Sequence, residues 1–258
     1  MPASKFVWYE LMTTDPAAAE KFYDHVVGWT SSAAGAGVEL NYTLLSAGDV
    51  QVAGLCSFPP ELAGGNVPPH WGGYLAVDDV DAMALRVRDS GGTIMKAGTD
   101  IPGVGRFAVV ADPQGATFLL FRGQGSAPPA PAPGMPGTVG WHELTTTDHA
   151  KAFSFYSNLF GWTKGEAIPM GEMGTYQLFE ADGVPCGGMM NTPPGAPMHP
   201  AWGFYFNVAE INAAVARVKG SGGKVLHGPA QVPGGSWIVN ALDPQGAVFS
   251  LVAPTKVD

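Results

Sequence analysis

The chain has 258 residues, with 13 Lys and Arg against 22 Asp and Glu, and a formal net charge of −9. The scattered basic residues exclude a nucleic-acid partner, whose binding rests on clustered Lys and Arg facing phosphates. Charged residues make up only 14%, against about 25% in an ordinary soluble protein, so Gly, Ala, Pro and apolar residues must form much of the surface, as suits a monomer with paired halves or a homodimer.

The first strand is expected at the alternating segment Trp8-Tyr9-Glu10-Leu11-Met12-Thr13. Asp15-Pro16 then supplies an N-cap with proline at the first helical position; Phe22, Tyr23, Val26 and Val27 form one apolar stripe, and Gly28 ends the helix. Strand-like segments follow at 42–46 and 51–57. A second strand-and-helix unit begins at Trp71, with helical spacing at Val80, Met83, Ala84 and Val87, and stops at Ser90-Gly91-Gly92. Asp112-Pro113-Gln114-Gly115 suits a type I turn closing a hairpin.

These elements then return. Trp141-His142-Glu143-Leu144-Thr145-Thr146-Thr147-Asp148 repeats Trp8 to Asp15 at an offset of 133 (141 − 8), and Asp243-Pro244-Gln245-Gly246 repeats the turn at 131 (243 − 112). A tandem duplication follows, with 1–123 and 138–258 as the two domains and the Pro/Gly-rich 124–137 as a semi-rigid connector. Each domain reads as two strand-helix-three-strand units. The two cysteines, Cys56 and Cys186, make no disulfide framework. With no N-terminal signal pattern and no bilayer-length apolar run, the chain is expected to be cytoplasmic, with no membrane partner.

The strand ending Thr-Thr-Asp, the helix ending Phe-Tyr-x-x-x-x-Gly-Trp and the late Asp-Pro-x-Gly hairpin resemble the vicinal oxygen chelate superfamily of glyoxalases, bleomycin-resistance proteins and dioxygenases, in tandem two-domain form. The resemblance implies an α+β fold in which paired βαβββ units form cupped mixed sheets. It also implies a divalent ion held by a first-strand ligand, a ligand on the first strand of the second unit, and a glutamate on the last strand. Those positions fall here at Trp8 and Trp141, close to Gly72 and Gly203, and at Leu119 and Ser250, or Leu120 and Leu251 one residue on. The expectation is therefore no metal ligands at the usual places and no cofactor. An atypical divalent-metal site drawing on Glu10, Glu143, His142, His70 or His199 is the minority alternative.

Strand alternation puts Trp8, Glu10 and Met12 on one face, and Trp141, Glu143 and Thr145 on its repeat. The resemblance points that face into the cup. A carboxylate beside indole in a semi-apolar cup would have a raised pKa, and Glu10 and Glu143 are the candidate catalytic bases or hydrogen-bonding anchors; pairing inside the sheet is the plainer reading of both. His70, Trp71, Trp202, Trp237 and Arg106 complete the candidate ligand-binding set. Trp237 stands at the repeat position of Arg106, so that pair would tune two cavities differently. The matched Trp71 and Trp202 can equally be packing, and Arg106 a surface residue.

Two functions stay open. One is binding of a small hydrophobic or planar molecule without metal. The other is an enzyme, a lyase or oxidoreductase of glyoxalase, dioxygenase or hydroxylase type, using an atypical metal or Glu10 and Glu143 as bases.

Overall fold

A computed structural model describes residues 3–34, 42–60, 62, 65, 67–125, 131–193, 195 and 199–255. In chain order the first half gives β1 (Phe6–Thr13), α1 (Pro16–Val27), β2 (Thr30–Ala33), β3 (Thr43–Ala47), β4 (Val50–Ser57), β5 (His70–Ala76), α2 (Val80–Asp89), β6 (Thr93–Ile101), β7 (Gly105–Ala111) and β8 (Thr117–Gly123). The second half repeats them as β9 (Val139–Thr146), α3 (His149–Phe160), β10 (Thr163–Pro169), β11 (Thr175–Ala181), β12 (Val184–Asn191), β13 (Ala201–Asn207), α4 (Ile211–Gly220), β14 (Lys224–Gln231), β15 (Trp237–Leu242) and β16 (Val248–Ala253). The strand-helix-three-strand unit thus occurs four times. No helix among the described residues is long and apolar enough to cross a membrane.

The helices start and stop where local chemistry directs. Asp15 and Asp148 accept the N–H groups of Ala18 and Lys151 at 3.0 Å, satisfying donors that have no intrahelical partner. Gly28 and Gly161 end α1 and α3 in the left-handed region, at φ 89° and 73°, where a side chain would be strained. The connector's described end is also ordered: Trp29 Nε1 donates to the Gly137 carbonyl at 2.7 Å, and the Gly137 N–H donates to the Asn207 carbonyl at 2.8 Å. Residues 126–130 of the connector lie outside the described residues.

Each half of the sequence forms its own mixed sheet of eight strands. The orders are β2-β3-β4-β1-β5-β8-β7-β6 and β10-β11-β12-β9-β13-β16-β15-β14. In the first sheet β1 pairs parallel with β4, bringing Glu10 level with Gly54 and Met12 level with Cys56. In the second, β12 pairs parallel with β9, bringing Gly188 level with Glu143 and Met190 level with Thr145.

Compactness divides the chain differently. One unit joins 1–7 and 72–128 to 142–203; the other joins 8–71 and 129–141 to 204–258. Each compact unit therefore combines the first βαβββ motif of one half with the second motif of the other.

In the first unit the core gathers on Tyr156 of α3. Trp162 stacks on its ring at 5.3 Å, Trp202 meets it edge-on at 5.3 Å, and Phe118 of β8 lies 5.4 Å away. In the second unit Tyr23 of α1 takes that place, with Trp71 edge-on at 5.2 Å, Phe249 of β16 at 5.4 Å and Trp29 at 5.6 Å. Burying such rings carries much of the hydrophobic stabilisation, because each removes a large apolar area from water.

Candidate functional site

Strands β1 and β9 have the same alternation of burial. Trp8, Glu10 and Met12 are half-buried, while Tyr9, Leu11 and Thr13 between them are buried. Trp141, Glu143 and Thr145 are half-buried, against buried His142, Leu144 and Thr146. Both glutamates thus lie on the semi-exposed face that period two assigns them.

On that face each glutamate meets a tyrosine. Tyr176 donates its hydroxyl to Glu143 Oε2 at 3.0 Å. Tyr42, just before β3, accepts a hydrogen bond from Trp8 Nε1 at 2.9 Å and donates one to Glu10. Burial first, and then the charge of Glu10, hold the Tyr42 phenol far above its ordinary range, so it stays protonated.

The glycines level with the glutamates make room for these rings. A Cβ on Gly54 would lie 1.9 Å from the Tyr42 hydroxyl oxygen, and one on Gly188 would lie 2.1 Å from Tyr176 Cε1. Only glycine at both positions lets an aromatic ring lie against the strand and reach the carboxylate. Cys56, level with Met12, is buried, and burial followed by the charge of Glu10 pushes its thiol up. The second half has the thioether of Met190 in that register, level with Thr145.

Sequence reasoning missed Tyr42 and Tyr176. They stand 34 and 33 positions from the side chains they bind. The available signal was their near-match in the repeat.

The remaining candidates go elsewhere. Trp71 and Trp202 are buried, and their indole N–H groups are spent on Tyr23 and Tyr156 at 2.9 and 3.0 Å, which places them in the two aromatic cores. Arg106 forks onto Asp81, with Nε and Nη2 each at 2.9 Å from a carboxylate oxygen, and its Nη1 reaches Asp100 at 2.9 Å. His70 opens β5, half-buried, with Nδ1 2.9 Å from the Pro68 carbonyl. Trp237 opens β15, half-buried, level with Gln231 and Ala253. His142 lies on the buried face of β9, stacked on Phe6 at 4.5 Å.

The donor set does not fit a divalent ion at the positions the fold implies. Trp8, Gly72, Leu119 and Leu120 offer no ligand atom, nor do Trp141, Gly203 and Leu251; Ser250 alone carries an oxygen. Among the described residues no three of His, Cys, Asp or Glu cluster as ligands would. A groove of about 390 Å³ in the first unit lies between the start of α2 and the end of α3. There Asp79 caps α2 and Arg86 donates to the Asn158 carbonyl.

Four βαβββ units, paired into two mixed eight-stranded sheets, define an α+β protein built by duplication. The chain belongs to the Glyoxalase/Bleomycin resistance protein/Dioxygenase superfamily, whose family model matches residues 5–120 and 138–251. It is 35% identical over 253 residues to "Putative glyoxylase CFP32" of Mycobacterium tuberculosis, covering 96% of this chain and 94% of that one. It is 33% identical over 258 residues to "Anthracycline biosynthesis protein DnrV" of Streptomyces peucetius, covering 95% and 91%. Among solved structures, the Mn(II)-bound glyoxalase of Novosphingobium aromaticivorans superposes with a TM-score of 0.66 at 15% identity, covering 98% of this chain and 83% of that one. The 2,2',3-trihydroxybiphenyl 1,2-dioxygenase of Sphingomonas wittichii gives 0.67 at 16% identity, covering 97% and 90%. At these identities the structural likeness speaks for the fold.

Proposed function

We propose that the chain binds a small planar molecule without a metal ion, using the Trp-x-Glu faces of β1 and β9 in place of the family's metal ligands. The observation that carries this reading is the repeated glutamate-tyrosine pair over a glycine, present in both halves. A half-buried indole supplies flat apolar area, and the carboxylate supplies an acceptor for a ligand hydroxyl or amine. The tyrosine fixes the carboxylate in advance, so less order is lost on binding. The name of the Streptomyces peucetius relative accords with a flat polycyclic ligand.

The test is tryptophan fluorescence of the chelator-treated full chain during titration with 2,6-dihydroxyanthraquinone. Saturable quenching is expected, weakened about tenfold by Glu10→Gln or Glu143→Gln, as loss of a charge-assisted hydrogen bond implies. No saturable quenching, or quenching untouched by either variant, overturns the reading.

A second reading makes Glu10 and Glu143 general bases, and the name of the Mycobacterium tuberculosis relative favours it. A hydrogen bond donated by tyrosine holds the carboxylate in place and occupies one of its lone pairs, which suits a fixed anchor. Substrate turnover lost in both glutamine variants while binding persists would reverse that preference.

A further inference from the structure

The two halves differ most sharply on the last strands. In the second half Tyr205, Ser250 and Asn240 lie level with one another across β13, β16 and β15. In the first half the same row is Tyr74, Leu119 and Val109 across β5, β8 and β7. Both rows begin with tyrosine, but serine and asparagine in one stand where leucine and valine stand in the other.

The polar row faces away from α1. Phe206 packs 4.9 Å from Trp71 and Phe249 packs 5.4 Å from Tyr23, so Tyr205 and Ser250, each one position away, point to the opposite face. Asn240 lies between Val239 and Ala241, both fully buried, and alternation turns it the same way. Its Nδ2 donates to the Tyr205 hydroxyl at 3.2 Å and to Ser250 Oγ at 2.8 Å. Both amide hydrogens are thereby spent and the amide plane is fixed. Its Oδ1 accepts from no described residue, and the side chain is half-buried on the face turned away from the aromatic core.

We propose that Asn240, held by Tyr205 and Ser250, is a ligand-reading acceptor peculiar to the second half, selecting planar molecules that carry a hydroxyl or amino donor. The first compact unit, with Val109 in that place and Phe107 and Phe121 6.4 and 6.0 Å from Tyr74, lacks this acceptor. This rests on the reading that the chain binds planar molecules. Asn240 is the contacting residue; Tyr205 and Ser250 are positioning residues.

Titration calorimetry of the full chain with 2,6-dihydroxyanthraquinone and with its dimethyl ether separates the possibilities, since methylation removes the donor hydrogens and leaves the rings. The diphenol should bind its tighter site more strongly than the ether by about tenfold beyond what the glutamate anchors supply, the scale of one hydrogen bond to a fixed acceptor. N240V, which installs the residue of the other half, should cut that ratio about tenfold. N240D, which keeps an outward acceptor while Tyr205 and Ser250 become donors to it, should retain the preference. A ratio near one in the unaltered chain, an unchanged ratio in N240V, or a preference for the ether would each overturn the proposal while planar-ligand binding stands. Absence of binding by either compound overturns both.

Discussion

The hydroxyl of Tyr23 donates to Oδ2 of Asp243 at 3.1 Å, across 220 positions of sequence. Asp243 spends its other oxygen on the turn, where Oδ1 accepts the N–H groups of Gln245 and Ala247 at 2.9 Å. Tyr156 and Asp112 repeat the arrangement at 3.2 Å, and Oδ1 of Asp112 accepts from Gln114 and Ala116. The aspartate that shapes the late hairpin of one half is thus also the buried acceptor for the first helix of the other. This bond fastens two motifs within each compact unit.

Removing the tyrosine hydroxyl should therefore be costly in both places. Tyr23→Phe leaves Trp71 Nε1 without its acceptor and withdraws one donor from a mostly buried carboxylate whose pKa burial already raises. Each unsatisfied buried group costs about 1–3 kcal/mol. Tyr23→Phe and Tyr156→Phe should each lower the unfolding free energy by about 2–4 kcal/mol in urea denaturation, on the same principle. A change below about 0.5 kcal/mol in either would show that the chain of bonds contributes nothing net.

Gly54 and Gly188 test the glutamate-tyrosine pair from beneath. Gly54→Ala puts a methyl where the Tyr42 ring lies, and the ring must swing away from Trp8 and Glu10. Gly188→Ala does the same to Tyr176 and Glu143. Each substitution should weaken binding of 2,6-dihydroxyanthraquinone by about tenfold, one hydrogen-bonded anchor's worth. Circular dichroism should show the native fold retained. Unchanged affinity in a folded G54A chain would mean the tyrosine does not hold the carboxylate for the ligand.

Period two was enough to put Glu10 and Glu143 on the semi-exposed face, because side chains alternate regardless of what the strand packs on. The same rule bears on Trp71, which follows directly on His70 and precedes Gly72. If Gly72 faces as the family's ligand position does, Trp71 must face the other way, into the Tyr23 core. Strands β2 and β6 were hard to see: the four residues of β2 are all exposed, and β6 has no regular alternation. The interleaving of halves in each compact unit was not legible at all. Two copies with equal apolar faces satisfy local pattern whichever partner they choose, and the decision lies in long-range bonds such as Tyr23 to Asp243.

The repeat also places unequal glutamines at equal positions. Gln114 donates Nε2 to the Asp148 carbonyl at 2.9 Å and accepts from the Asp148 N–H and the Thr147 hydroxyl, so it clasps the start of α3. Oε1 of Gln245 is buried with no hydrogen-bond partner among the described residues. Replacing a satisfied half-buried amide forfeits its bonds, while replacing one with an orphaned buried acceptor relieves a penalty. Gln114→Leu should destabilise the chain by about 1–3 kcal/mol more than Gln245→Leu, on that asymmetry. Equal thermal-unfolding midpoints in the two variants would contradict it.

His142 sets part of the acid limit of stability. It is buried, Nδ1 lies 2.7 Å from the Cys186 carbonyl, and burial pushes its pKa down to about 4 from an ordinary 6.5. Because the folded value is the lower one, the unfolded chain takes up this proton first as pH falls. Stability from this residue is whole above about pH 6.5 and is lost as pH descends towards 4. The loss between pH 7 and pH 5 should be about 2 kcal/mol, from the same linkage. Asp112 and Asp243 work in the opposite sense: burial raises their pKa values, so the folded chain binds those protons first and gains on acidification. Substituting His142→Tyr, the residue that Tyr9 provides at the matching place in the first half, isolates the histidine from these carboxylates. The variant's urea midpoint should fall less between pH 7 and pH 5 than that of the unaltered chain, by the equivalent of about 2 kcal/mol. Parallel pH profiles, or an imidazole that titrates near 6.5 by NMR in the folded chain, would show that His142 takes its proton without opening the core.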